Sequence, residues 1–225
     1  MLRSGDGGMY DLDFYKSYTG DIDVLTINLS ECFNSLEKYV SQTEYSFTGL
    51  YQSGKKDEEI TIKILNENLP HLLGLSRQHH FNLPTYHASA IFQKIKGNEK
   101  NWTLEDLKKA DEGWFNESRE KLIGIFFLYQ IMHTIETKNY STTPFNGPKN
   151  DRLYKRIERD KVSYIFVKSI ENASYSFEFT ENTNEQKVYI PRSLKINDPI
   201  EKHLTPVSLE NIKTERIKVP KRKKK

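Results

Sequence analysis

Two periodicities run through the chain, and each marks a different kind of element. Leu29, Cys32, Phe33, Leu36, Tyr39 and Val40 recur at spacings of three and four, which lines one face of a helix. Ser30 stands where an N-cap belongs, and Glu31 lies near the positive end of the helix dipole. Residues 45–51 then read as extended, Gly54-Lys55-Lys56-Asp57 as a polar turn, and Ile60-Thr61-Ile62-Lys63-Ile64 repeats every second residue. Isoleucines fall on one face of that strand and Thr61 and Lys63 on the other, so the segment predicts a β-hairpin.

The middle of the chain returns to the helical period. Pro84 opens a helix through Lys96, with Ala88, Ile91, Phe92 and Ile95 on its apolar side. Thr103 with Asp106 three residues on gives a capping-box-like start to a short helix ending at Ala110. Leu122, Ile125, Phe126, Leu128, Ile131, Met132 and Ile135 form a wide apolar stripe, which predicts one long buried helix over Glu117–Thr137. Residues 139–150, with Pro144, Gly147 and Pro148, read as a loop. Beyond it, Val162–Val167, Tyr175–Phe179 and Lys187–Ile190 are short β-rich runs between polar turns. The expected fold class is α+β: helices packed on a small, mostly antiparallel β-sheet, with a helical insert between early and late strands. Residues 1–27 read as a leader or extended arm, 28–213 as a single α+β domain, and 214–225 as a basic, disordered tail.

Composition sharpens this picture in three ways. Hydrophobic content of 36% is modest, but 13 Tyr and 12 Phe supply enough apolar area for a core and exclude wholesale disorder. The single cysteine, Cys32, excludes an intrachain disulfide and a cysteine-built zinc site, and its helical position reads as a buried small hydrophobe. The N-terminus lacks the apolar segment of a secretion signal and no run is long enough to span a bilayer, so a cytoplasmic location without a membrane partner is expected. The net charge of +3 belongs to the tail. Setting aside Lys218, Lys221, Arg222, Lys223, Lys224 and Lys225 from the 34 Lys+Arg leaves 28 against 31 Asp+Glu, a net −3 for the body. Such a tail attracts nucleic acid or any anionic surface without sequence specificity.

Familiar catalytic signatures are absent: the chain has no phosphate-binding glycine loop, no G-x-S-x-G elbow and no H-E-x-x-H. His71, His79, His80 and His87 crowd one region without carboxylates or cysteines at ligand spacing, so no metal or other cofactor is expected. His71 stands out: it follows Pro70 at the end of an alternating strand and precedes Leu72-Leu73-Gly74-Leu75. A histidine anchored in this way is placed for acid–base work near neutral pH, although the segment alone favours a buried hydrogen bond to a backbone carbonyl.

The strand leading into Leu69-Pro70-His71-Leu72-Leu73-Gly74-Leu75, the helical insert, Tyr164-Ile165-Phe166-Val167-Lys168 and the late Thr205-Pro206-Val207-Ser208-Leu209 together resemble a known family. It is that of the phage-associated barnase–EndoU–colicin–RelE-like nucleases, in the group with a Pro-His-Leu-x-Gly element. The similarity runs from about Cys32 to Lys213. It implies a toxin-type endoribonuclease that cleaves RNA without a metal, by attack of the 2′-hydroxyl on the adjacent phosphate. His71 matches the family's histidine as the acid–base candidate, and Thr205 and Ser208 match its late hydroxyl motif. Lys168, at a strand end, joins them as a candidate catalytic cation. Arg152, Lys155 and Arg156 are candidates for phosphate binding, and Tyr154 and Tyr86 for stacking a base. RNA is the expected partner, with a neutralising protein alongside it. The alternative is a non-catalytic protein- or nucleic-acid-binding module on the same fold. The acidic body and the lack of a counterpart to the second EndoU-type histidine are departures from the pattern.

Overall fold

The computed structural model describes residues 8–51, 58–75, 87–97, 103–136, 152–170, 173–198 and 204–217. The early strands form as their alternation predicts. β1 (Thr43–Leu50) and β2 (Glu58–Ile64) pair antiparallel from Thr43↔Ile64 to Gly49↔Glu58, with Tyr45, Phe47, Ile60, Ile62 and Ile64 buried on one face. The late meander comprises β3 (Arg152–Glu158), β4 (Lys161–Ile170), β5 (Ala173–Asn182) and β6 (Glu185–Ile196). Its strands are longer than their apolar runs, and β3 arises in a basic stretch with no strand signal of its own. Arg159 and Asp160, at φ 49° and 63°, make the two-residue turn between β3 and β4.

The sheet corrects the sequence-based expectation. It is neither small nor purely a meander: β7 (Thr205–Pro206) and β8 (Ser208–Arg216) complete an eight-stranded mixed sheet in the order β7-β3-β4-β5-β6-β2-β1-β8. The hairpin and the meander fuse through a parallel join, Thr61↔Val188 and Ile62↔Tyr189, which alternation within one strand does not encode. The architecture remains α+β, but the sheet curls into a half-barrel. β7 and β8 lie at opposite ends of the strand order, yet only Val207 separates them in the chain. One short stretch therefore joins both edges, with the Val207 amide donating to Leu153 O at 3.0 Å. Gly49 makes room for that crossing, since a Cβ there would lie 3.2 Å from Val207 Cγ1 and 2.7 Å from Ile60 Cδ1.

Helices cover one face of the sheet. α2 (Leu29–Tyr39) buries Leu29, Cys32, Phe33 and Leu36, as its period predicts. Its cap is Asn28, whose side chain accepts from the Glu31 amide at 3.1 Å. Ser30 instead donates to Lys96 O at 2.9 Å, tying α2 to the end of α4 (Ala88–Lys96). α3 (Asn68–Leu72) follows β2, and Thr103 caps α5 (Leu104–Ala110) through the Asp106 amide.

The long helix expected over Glu117–Thr137 is two, α6 (Glu112–Gly124) and α7 (Phe127–Glu136). The break seats Gly124 against Tyr175, where a Cβ would come within 2.5 Å of the ring. It also turns Phe126 into the rings of Tyr10, Phe14, Tyr15 and Tyr18. Those rings belong to the segment read as an extended arm, which contributes α1 (Leu12–Ser17) and buries Tyr10, Tyr15 and Tyr18. At the other end, β8 continues through Arg216, whose guanidinium donates to Ser41 O at 2.6 Å and to Lys38 O at the end of α2. The basic run from Lys218 lies outside the described residues.

Candidate active site at the seam of the sheet

Where the curled sheet brings β3 and β4 over the start of β2, five polar side chains converge. In the strand order β4, β5 and β6 separate β3 from β2. At about 4.8 Å per strand a flat sheet would hold β3 and β2 about 19 Å apart. Instead Lys155 Nζ reaches Glu58 Oε2 at 2.5 Å. Tyr51, just past β1, donates to the same oxygen at 2.7 Å, and Tyr164 of β4 donates to it at 3.1 Å. The two phenol oxygens are 3.2 Å apart, and the Lys155 ammonium sits 5.2 Å from the centre of the Tyr51 ring. Tyr189 of β6 closes the far side, edge-on to Tyr164.

Strand alternation explains why these residues share a face. Leu153 packs into the core, so Lys155, two residues on, points to the same side of β3. A charge directed inward needs a partner, and Glu58 supplies it. The Glu58 side chain is 30% exposed and that of Lys155 16%, so the carboxylate stays within reach of solvent. Burial alone would raise the Glu58 pKa. Hydrogen bonds from Lys155, Tyr51 and Tyr164, with the charge of Lys155, outweigh it and hold the carboxyl below its ordinary range. On the phenols burial prevails: it pushes Tyr189 up to about 12 and Tyr51 and Tyr164 higher still. The cluster is thus an ionised carboxylate held by an ammonium and two neutral donors.

The sequence-predicted candidates divide around this cluster. Thr205 lies directly opposite Lys155 in the β3–β7 register, and directly opposed residues share a face. Ser208 is paired with Leu50, one residue before Tyr51, and is nearly buried; three residues on from Thr205 along an extended chain, it faces the other side. Arg152, Tyr154 and Arg156 likewise alternate away from Lys155. Tyr154 is buried with Ile165 and Val167 on the opposite face, its hydroxyl accepting from Arg152 at 3.4 Å, and so is not open to a base. Arg156 pairs with Glu178, and among the described residues its buried Nε has no hydrogen-bond partner. Lys168 is half-buried opposite Tyr175, four residues along β4 from Tyr164. Tyr86 lies outside the described residues.

His71 belongs to the far end of β2. Glu58 opens that strand and α3 follows its other end; the six steps from Glu58 to Ile64 span about 20 Å. Leu69, Leu72, Leu73 and Leu75 are all buried and anchor the turn, while His71 is half-exposed on it. Gly74, at φ 73°, ends α3, and its Leu73 carbonyl accepts from Trp114 Nε1 at 2.8 Å and Ser118 at 3.3 Å. Among the described residues, no cluster of three or more His, Cys, Asp or Glu is placed to hold a metal ion. Nor is any helix there long and apolar enough to cross a membrane.

Glu58, Tyr51 and Tyr189 were not singled out in the sequence, and Tyr164 was named only as the first residue of the strand that carries the resemblance, with no role in a site. Glu58 sits at the edge of a polar turn, and no local pattern separates these three tyrosines from the other ten. The available signal was Lys155 itself, a cation at an inward position of a strand.

A curled α+β sheet with a carboxylate, an ammonium and phenols at its seam is a framework for proton transfer beside an anion. The chain matches the family model described as phage-Barnase-EndoU-ColicinE5/D-RelE like nuclease4 over residues 28–225, and it belongs to that family. This places it among nucleases of the barnase, EndoU, colicin and RelE type, with nucleic acid as the substrate class. No solved structure matches the chain.

Proposed function

We propose that the chain is an endoribonuclease that cleaves RNA by internal attack of a 2′-hydroxyl, with the Glu58–Lys155 seam as its catalytic centre. The observation that supports this reading most is the convergence of Glu58, Lys155, Tyr51 and Tyr164 on one partly open site within a nuclease family. Glu58, ionised at neutral pH, takes the proton of the 2′-hydroxyl. The 2′-oxygen then bonds to phosphorus, the bond to the 5′-oxygen breaks, and that oxygen takes a proton from water, whose hydroxide takes up the proton held by Glu58 and restores the carboxylate. Lys155 faces the charge that gathers on the phosphoryl oxygens, and Thr205 lies on its face as a hydroxyl donor. The chemistry requires the ribose hydroxyl and no metal.

His71 carries the second reading, because it sits in the element that resembles the family's histidine motif. About 20 Å of strand separates the two sites, so they do not share one proton transfer. The purified protein, incubated with matched RNA and DNA in EDTA, tests both. Cleavage of RNA alone, leaving 2′,3′-cyclic phosphate ends, and lost in Glu58→Gln and Lys155→Met but kept in His71→Ala, supports the seam. Loss only in His71→Ala moves the centre to α3. DNA cleavage, or dependence on added metal, overturns the mechanism. Intact RNA and DNA together favour the binding-module alternative.

A further inference from the structure

The hydrogen bonds around Glu58 are lopsided. Among the described residues, every bond to its carboxylate falls on Oε2: Lys155 at 2.5 Å, Tyr51 at 2.7 Å and Tyr164 at 3.1 Å. Oε1 receives none of them. Two of the three donors are phenols fixed by packing. Tyr164 is fully buried, and its ring meets Tyr189 edge-on with centroids 4.7 Å apart. Tyr51 is nearly buried beneath the Lys155 ammonium. A carboxylate gripped by one oxygen from three directions cannot rotate without breaking all three bonds, so its other oxygen is held in one place.

We infer that Tyr51 and Tyr164 are positioning residues for Glu58: by donating to Oε2 they fix Oε1 as the oxygen that takes the substrate proton. The inference rests on the nuclease reading of the seam and assigns each carboxylate oxygen a task. It also separates the donors. Lys155 is drawn toward an incoming phosphate, whereas the two phenols, which stay neutral, keep their grip on Oε2 throughout. The charged and titratable groups facing Glu58 are Lys155 from β3, Tyr51 beyond β1, Tyr164 from β4 and Tyr189 from β6. Glu58 is the one carboxyl among them.

Tyr51→Phe and Tyr164→Phe each delete one hydroxyl and keep the ring. The test titrates the Glu58 carboxyl carbon by NMR, assigned by its loss in Glu58→Gln, alongside the pH profile of RNA cleavage. Each phenylalanine variant is expected to raise the Glu58 pKa. The acid limb of kcat/KM, where the base protonates, moves to higher pH with it. The turnover number falls about tenfold per hydroxyl, with KM held, since a lost hydrogen bond to a charged group is worth about one decade. A Glu58 titration unchanged in both folded variants overturns the inference, as does lost activity with an unmoved acid limb. If Tyr164→Phe does not fold, Tyr51→Phe carries the test. If the wild-type protein cleaves no RNA, the nuclease reading falls while the titration still decides whether the phenols hold the carboxylate.

Discussion

Lys155 and Glu58 lie 97 residues apart in the chain and meet at 2.5 Å across the mouth of the sheet. Their contact ties the meander to the early hairpin, and it sets the first prediction. Glu58→Gln removes the proposed base and is expected to lower RNA cleavage by about 10²–10⁴-fold, the usual worth of a positioned proton acceptor. In a double-mutant cycle with Lys155→Met, followed by urea denaturation, the two sites should couple by about 0.5–3 kcal/mol. Additive effects would mean that the pair does not hold the mouth together.

Acid should weaken the same contact in a defined direction. Glu58 is held below the ordinary carboxylate range in the folded protein. A depressed folded-state pKa stabilises the protein fully above the unfolded value, about 4.3, and that contribution is lost as pH falls through the folded pKa. Thermal melts of wild type and Glu58→Gln should therefore differ most near neutral pH and converge as pH drops below about 4. A gap that widens in acid would reverse the sign.

The crossing of Val207 over Gly49 leaves no space for a larger residue. Gly49→Val places its first carbon 2.7 Å from Ile60 Cδ1 and 3.2 Å from Val207 Cγ1. Overpacking of this kind destabilises by about 1–3 kcal/mol, and the denaturation midpoint should fall accordingly.

Phe126 is fully buried among the rings of Tyr10, Phe14, Tyr15 and Tyr18. Phe126→Ala should cost about 3–5 kcal/mol and leave residues 10–18 readily cut by protease. Protection equal to wild type would show that the N-terminal segment holds without this anchor.

Replacing Arg159-Asp160 by Asn-Gly tests the β3–β4 turn. Both residues have positive φ, a conformation that Asn and Gly adopt with less strain. The double substitution should raise stability by about 0.5–1 kcal/mol.

What the sequence revealed followed from local chemistry. Ile60, Ile62 and Ile64 alternate and bury on one face, and Thr103 caps its helix, because both signals lie within a few residues. The break between α6 and α7 stayed hidden, because the apolar stripe is continuous and Gly124 is needed by Tyr175 and Leu194, 51 and 70 positions away in the numbering. β3 stayed hidden because Arg152, Lys155 and Arg156 read as a charged face and Arg-Asp is not a customary hairpin turn. Thr205 and Lys155 were each named as candidates, but their pairing across β7 and β3 depends on closure of the sheet. Glu58, Tyr51 and Tyr164 meet only after that closure, so no spacing announces them.

The joining of β7 and β8 through Val207 also orders assembly in time. Every other strand of the sheet precedes Thr205 in the chain, so during synthesis both edges stand open until this stretch arrives. A nascent chain holding Glu58 and Lys155 still lacks the segment that closes the mouth around them. Among the described strands, the edges of β3 and β1 can be bridged only once residues 205–216 have been made.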